Sequence, residues 1–195
     1  MAEQPASLLN AFGDGLAFAD YHAAMKTLQR HMAEQFEAIS IPDELRAEFS
    51  GLVQPRGRVL TLVMTEDHCP DSVLNLSIVA RLAEAVPGLE LRVVHRDEYK
   101  SLADRYPTPD GYNHIPTVIF FTPDGTELGV WHERPAAAHA FLADYERDHP
   151  KPPVEDGKKT PAFKTWFKER LAVQKQNYRR GMWRETVNEL MALLK

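Results

Sequence analysis

Residues 58–72 read RVLTLVMTEDHCPDS, and the order of apolar and polar positions in this stretch decides the fold. Across 59–64 the side chains are apolar or β-branched at consecutive positions, the pattern of a strand buried on both faces beneath covering helices. The run gives way at Cys69, the single cysteine of the chain, and Pro70 follows, a residue favoured in the first turn of a helix because its missing N–H would be unpaired there. Val73, Leu76, Val79, Leu82 and Val86 then recur at helical spacing. The reading is a strand that opens directly into a helix, with the Cys69 sulfur beside the unpaired N–H groups and positive dipole end where a thiolate is stabilised.

A second stretch, GYNHIPTVIFF at residues 111–121, makes the pattern specific, and TPDGT at 122–126 supplies an Asp-Gly turn between two further strands. With a cysteine at a strand-to-helix junction and an I-P-T loop before an apolar strand, the chain resembles the thioredoxin superfamily. EDHCPD at 66–71 and GVWHERP at 129–135 are similar to a bacterial thioredoxin-like family whose members often carry one active-site cysteine. The resemblance covers residues 58–148. It implies an α/β thioredoxin-like fold, a central mixed sheet with flanking helices, to which this chain adds helical extensions at both ends. The divisions expected are 1–56 for an N-terminal helical extension packed on the core, 57–148 for the thioredoxin-like domain, and 149–195 for a connector and basic helical tail.

Three positions depart from the superfamily pattern: the second cysteine is Ser72, the buried acid is Val63, and the tryptophan before the first cysteine is His68. In the superfamily that acid handles the proton of the resolving thiol, so its loss accompanies the loss of the thiol. Dithiol exchange within one chain is excluded. The resemblance therefore implies monothiol chemistry, in which Cys69 attacks a mixed disulfide of a protein or small molecule, and a low-molecular-weight thiol acts as co-substrate to release it. The alternative is a redox-inactive module that binds a protein or peptide in the same groove.

Around Cys69, Ser72 either donates a hydrogen bond to the thiolate or is a small first-turn residue, and His68, when protonated, assists ionisation. Glu66, Asp67 and Asp71 oppose it, and the balance is not readable from sequence. By resemblance, Ile115 offers its backbone to a bound partner and Pro116 is the cis-proline that keeps the loop close to the sulfur. Trp131 and Arg134, at the end of the last strand, are candidates to stack on a substrate or to pair with the carboxylate of a small thiol; their alternatives are core packing and a surface ion pair. No metal is expected, since His68, Cys69 and His114 offer three donors without an evident fourth.

The remaining chain reads as support. Residues 1–15 look like a loose lead-in. Phe18, Tyr21, Met25, Leu28, Met32 and Phe36 predict one long amphipathic helix, and Pro42 opens a shorter one ended by Gly51 and Pro55. Strands are expected at 89–94, 117–122 and 126–131, with helices at 99–106 and 135–148. From 158 to 195 there are ten Lys or Arg residues against three acids, in a chain whose net charge is −5. The apolar stripe with Trp166 and Trp183 predicts a helix docked on an acidic body, interrupted near Gly181, rather than an arm for nucleic acid. With 44% hydrophobic and 26% charged residues the composition is that of a soluble globular protein. No leader is evident, no apolar run approaches the roughly 18 residues of a membrane span, and a lone cysteine cannot build a disulfide framework; the expected location is the cytoplasm.

Overall fold

The computed structural model describes residues 7–155 and 157–195. At its centre β1 (Val59–Thr65) is buried at every position. It pairs in parallel with β2 (Leu89–His95) and antiparallel with β3 (Thr117–Phe121), and β4 (Glu127–His132) adds to β3, so the sheet order is β2-β1-β3-β4. The period-two alternation of a strand sends Leu60, Leu62 and Met64 to one core and Val59 and Val63 to the other.

The first face is covered by α1 (Leu8–Asp14) and α6 (Lys100–Ala103), through Leu8, Ala11 and Leu102. On the second face lies α5 (Pro70–Ala85), the crossover between β1 and β2, buried almost all round. Packed outside and around it are α2 (Phe18–Ala24), α3 (Gln29–Ala38), α4 (Asp43–Val53) and α9 (Trp183–Ala192). Tyr21, Met32, Phe49 and, from the tail, Tyr178, Val187 and Leu190 share one hydrophobic cluster with Val63 and Val73.

Several local expectations change. The loose lead-in contains α1, with Ser7 accepting from the Asn10 N–H at its start; residues 1–6 lie outside the described part. The single long helix of 18–36 is two helices, broken at residues 25–28, with Leu28 at φ 53°. The break has a partner distant in sequence: Asp67 Oδ2 accepts from the Lys26 and Thr27 N–H groups at 2.8 and 3.3 Å. A straight helix would direct those amides along its own axis. The second helix runs through Gly51 to Val53 and ends in a tight turn, Gln54–Arg56, rather than stopping at Gly51.

After β4, α7 (Ala136–Asp148) leads to a two-residue hairpin of β5 (Val154–Glu155) and β6 (Lys158–Lys159), then to α8 (Pro161–Asn177). A wide turn, Tyr178–Met182, joins α8 to α9, with Gly181 at φ 134°, where an L side chain is strained. The tail seats so closely that a Cβ on Gly129 of β4 would lie 2.8 Å from Leu193 Cβ. Among the described residues no helix is long and apolar enough to cross a membrane.

Candidate functional site

Cys69 is the N-cap of α5, extended at φ −88° and ψ 120°, and its carbonyl accepts from the Val73 N–H at 3.1 Å. The thiol makes no capping bond to the helix. Instead Sγ donates to the Ile115 carbonyl at 3.4 Å across the gap to the loop before β3, where the Ile115–Pro116 bond is cis. Cys69 and Ile115 are partly exposed and Pro116 is buried. Two segments separated by 46 residues thus meet at the sulfur.

Burial raises the Cys69 pKa above that of an ordinary thiol, and the Asp71 carboxylate adds to the effect; the nearby Ser72 side chain and N–H and the Asp71 N–H oppose it without cancelling it. The contest that sequence left open therefore goes against the thiolate. Ser72 is fully buried, and its Oγ accepts from the Thr65 hydroxyl, which leaves its own proton for the sulfur. Val63, in the place of the superfamily's acid, is an apolar core residue.

Arg134 and Asp71 form the main charged feature behind the cysteine. The guanidinium donates through Nε to Asp71 Oδ1 at 2.9 Å and through Nη2 to Oδ2 at 2.6 Å, a two-pronged pair with side chains 13% and 7% exposed. Glu133 closes on the same Nη2. Burial disfavours the Arg134 charge, but Asp71 and Glu133 outweigh burial and raise its pKa above the usual value. Trp131 is 6% exposed and donates its indole N–H to Glu189 of α9 at 2.7 Å, while the other Glu189 oxygen accepts from the Ala136 N–H at the start of α7.

His68 is exposed. His114 is bound by Asp110 at 2.7 Å, with Glu133 3.7 Å from its other nitrogen. Asp110, held by Thr108 and then by His114 and the Tyr112 N–H, has its pKa lowered to about 2. No three His, Cys, Asp or Glu side chains among the described residues stand as a metal-binding group, so His68, Cys69 and His114 are not brought together as one.

Sequence reasoning missed the residue that ties these parts together. Asn75, one turn into α5, donates from Nδ2 to the Asp71 and Glu133 carbonyls at 3.1 and 3.0 Å, and its Oδ1 accepts from Tyr178 and Thr186 at 3.2 and 2.8 Å. All four of its bonding positions are used, in a buried setting. Its only mark in the sequence is a polar residue within the apolar run of α5 from Val73 to Ala80, a run that also holds Ser77. Glu133, at φ 60°, and Glu189 left no such mark.

A parallel strand feeding a helix capped by cysteine, opposed by a cis-proline loop, defines a protein of the thioredoxin-like class with one cysteine. Residues 15–147 match the family model Thioredoxin_9, described as "Thioredoxin", and the chain belongs to that family. No curated protein matches significantly. Among solved structures, an HIV epitope-scaffold crystal structure is similar at TM-score 0.63 and 22% identity, covering 96% of this chain and 97% of that one. A crystal structure of a protein of unknown function from Pseudomonas aeruginosa is similar at TM-score 0.56 and 22% identity, covering 88% of this chain and 99% of that one.

Proposed function

We propose that the protein is a monothiol thioredoxin-like redox protein. The observation that carries this reading is the meeting of Cys69 Sγ with the Ile115 carbonyl, 3.4 Å apart, at the rim of the sheet where an extended disulfide-bearing segment can lie along the loop. Cys69, once deprotonated, attacks one sulfur of a protein or small-molecule disulfide. The Cys69–S bond forms, the S–S bond breaks, and the other half leaves as a thiolate. Ser72 cannot resolve the adduct, so the thiolate of a low-molecular-weight thiol attacks it, taking the carried group as a new disulfide and releasing Cys69 as thiolate. No other cofactor enters this cycle, nucleic acid has no part in it, and it suits the reducing cytoplasm.

The raised thiol pKa favours a second reading, a redox-inactive module that binds a peptide along the same loop. Mass spectrometry of the protein after incubation with an oxidised small thiol, from pH 7 to 10, separates the two. Redox function requires a single adduct on Cys69, reversed by the same thiol in its reduced form and absent in Cys69→Ser. Failure to form the adduct at any pH leaves the binding module.

A further inference from the structure

Away from Cys69, a cleft of about 590 Å³ opens between the α2–α3 break and the outer side of α8. Its volume lies within the roughly 300–1,000 Å³ usual for small-molecule sites. Leu28, Phe167, Leu171 and Val173 make its lining apolar, and the exposed Lys168 and Arg179 also line it.

The cations of the cleft are not equivalent. Lys175 Nζ is committed to Glu34 at 2.5 Å and to His31 at 3.1 Å. Burial and then Lys175 lower the His31 pKa, which leaves that imidazole neutral at pH 7. Among the described residues the tail's ion pairs are Arg170 with Glu146, Lys175 with Glu34 and Lys195 with Glu48, so Lys168 and Arg179 have no carboxylate partner. Arg179 reaches only the Glu34 backbone carbonyl, at 3.5 Å. Eleven residues of helical path separate the two, a span of roughly 16 Å at 1.5 Å per residue. The cleft thus carries an apolar strip of Leu28, Phe167, Leu171 and Val173 with His31, Lys175 and Gln176 beside it, and toward one end the Arg179 guanidinium faces no carboxylate among the described residues.

A second observation points to the same place. Leu28, at the end of the break whose Lys26 and Thr27 amides Asp67 holds, presents its side chain to the cleft. The charge distribution also favours an anion here, because the basic segment 158–195 lies on a chain that is otherwise acidic.

We propose that this cleft binds a free long-chain fatty acid. The hydrocarbon lies on Leu28, Phe167 and Leu171, and the carboxylate pairs with the Arg179 guanidinium, whose planar fork matches a carboxylate. Lys168 covers the far end with its aliphatic stem.

Displacement of a fluorescent fatty acid from the full chain tests this, with laurate, dodecanol and dodecylamine as competitors below their micelle concentrations. Laurate is expected to compete at least about tenfold better than either of the others. Arg179→Glu should weaken laurate by about tenfold or more and remove its advantage over dodecylamine. Ala172→Trp, on an exposed position that lines the cleft, should block all binding, and Lys164→Glu, outside the lining, should change nothing; unchanged circular dichroism shows that each variant folds. Equal displacement by all three competitors, no displacement by laurate, or insensitivity to both Arg179→Glu and Ala172→Trp overturns the proposal. So does an acidic amphipathic helical peptide that binds in an Ala172-dependent way where laurate does not.

Discussion

Replacing Asp71 by Asn should make Cys69 more reactive while making the protein less stable, and the two effects come from the same ion pair. Asp71 raises the thiol pKa by like-charge repulsion, second only to burial. The substitution also removes the charge that Arg134 pairs with at 2.6 and 2.9 Å and leaves at most one acceptor there, so a guanidinium only partly balanced by Glu133 remains near the first turn of α5. Both changes favour the thiolate. A nearby charge is worth about one to three pKa units; taking one unit, about 1.4 kcal/mol, the thiolate fraction at pH 7 rises about tenfold. Losing one partner of a buried pair costs about 3–5 kcal/mol of stability, less whatever hydrogen bonding the amide retains. The assay is the rate of Cys69 alkylation by iodoacetamide from pH 6 to 11, read by mass spectrometry, with near-UV circular dichroism confirming the fold. Arg134→Met supplies the opposite sign, because it leaves the Asp71 carboxylate uncompensated and should raise the thiol pKa further. If both variants titrate like the parent, burial alone sets the thiol and the charge argument is wrong.

Three other outcomes can be checked. The folded Cys69 thiol holds its proton above the pH at which the unfolded thiol loses it, so its contribution to stability is complete below the ordinary thiol pKa and fades as pH rises beyond it; urea midpoints should fall as pH rises above about 8.5, and less steeply in Cys69→Ser. Asn75→Ala leaves Tyr178, Thr186 and two backbone carbonyls without their partner, and at about 1–3 kcal/mol per unsatisfied buried group the loss should reach about 3–5 kcal/mol by urea unfolding. Gly129→Ala drives a Cβ to 2.8 Å from Leu193 Cβ and should cost about 1–3 kcal/mol through displacement of the tail, seen as a lower thermal midpoint; an unchanged midpoint would mean that α9 is not seated as described.

What was legible in the sequence follows from the range of the interactions involved. β1, α5 and the Ile115–Pro116 loop carry their signals in consecutive residues: an apolar run, a first-turn proline, an I-P-T sequence. The break at residues 25–28 does not, because the amphipathic stripe continues through it and the carboxylate that captures its amides lies some forty residues on. The candidate site divides in the same way. Cys69, Ile115 and Pro116 were named from local motifs. The engagement of Arg134 by Asp71, the hub at Asn75 and the clasp of Trp131 by Glu189 join residues 58 to 111 positions apart, and no local pattern encodes them. The thiol's ionisation was unreadable because burial by residues distant in sequence, the largest influence on it, leaves no mark in the local charges around Cys69.

The seating of α9 has a consequence for how the chain is made. Val63 emerges from the ribosome long before Leu190 and Met191, which complete the same hydrophobic cluster. The interval is about 125 residues, roughly 6 to 25 s at the usual 5–20 residues per second of synthesis. Once β4 ends at His132, the sheet and α5 have one flank open until α9 follows about 50 residues later, and in a vectorial process α9 acts as the closing event. Nascent chains stalled before Trp183 should therefore be substrates for chaperones and proteases, and chains in which α9 has emerged through Leu194 should not.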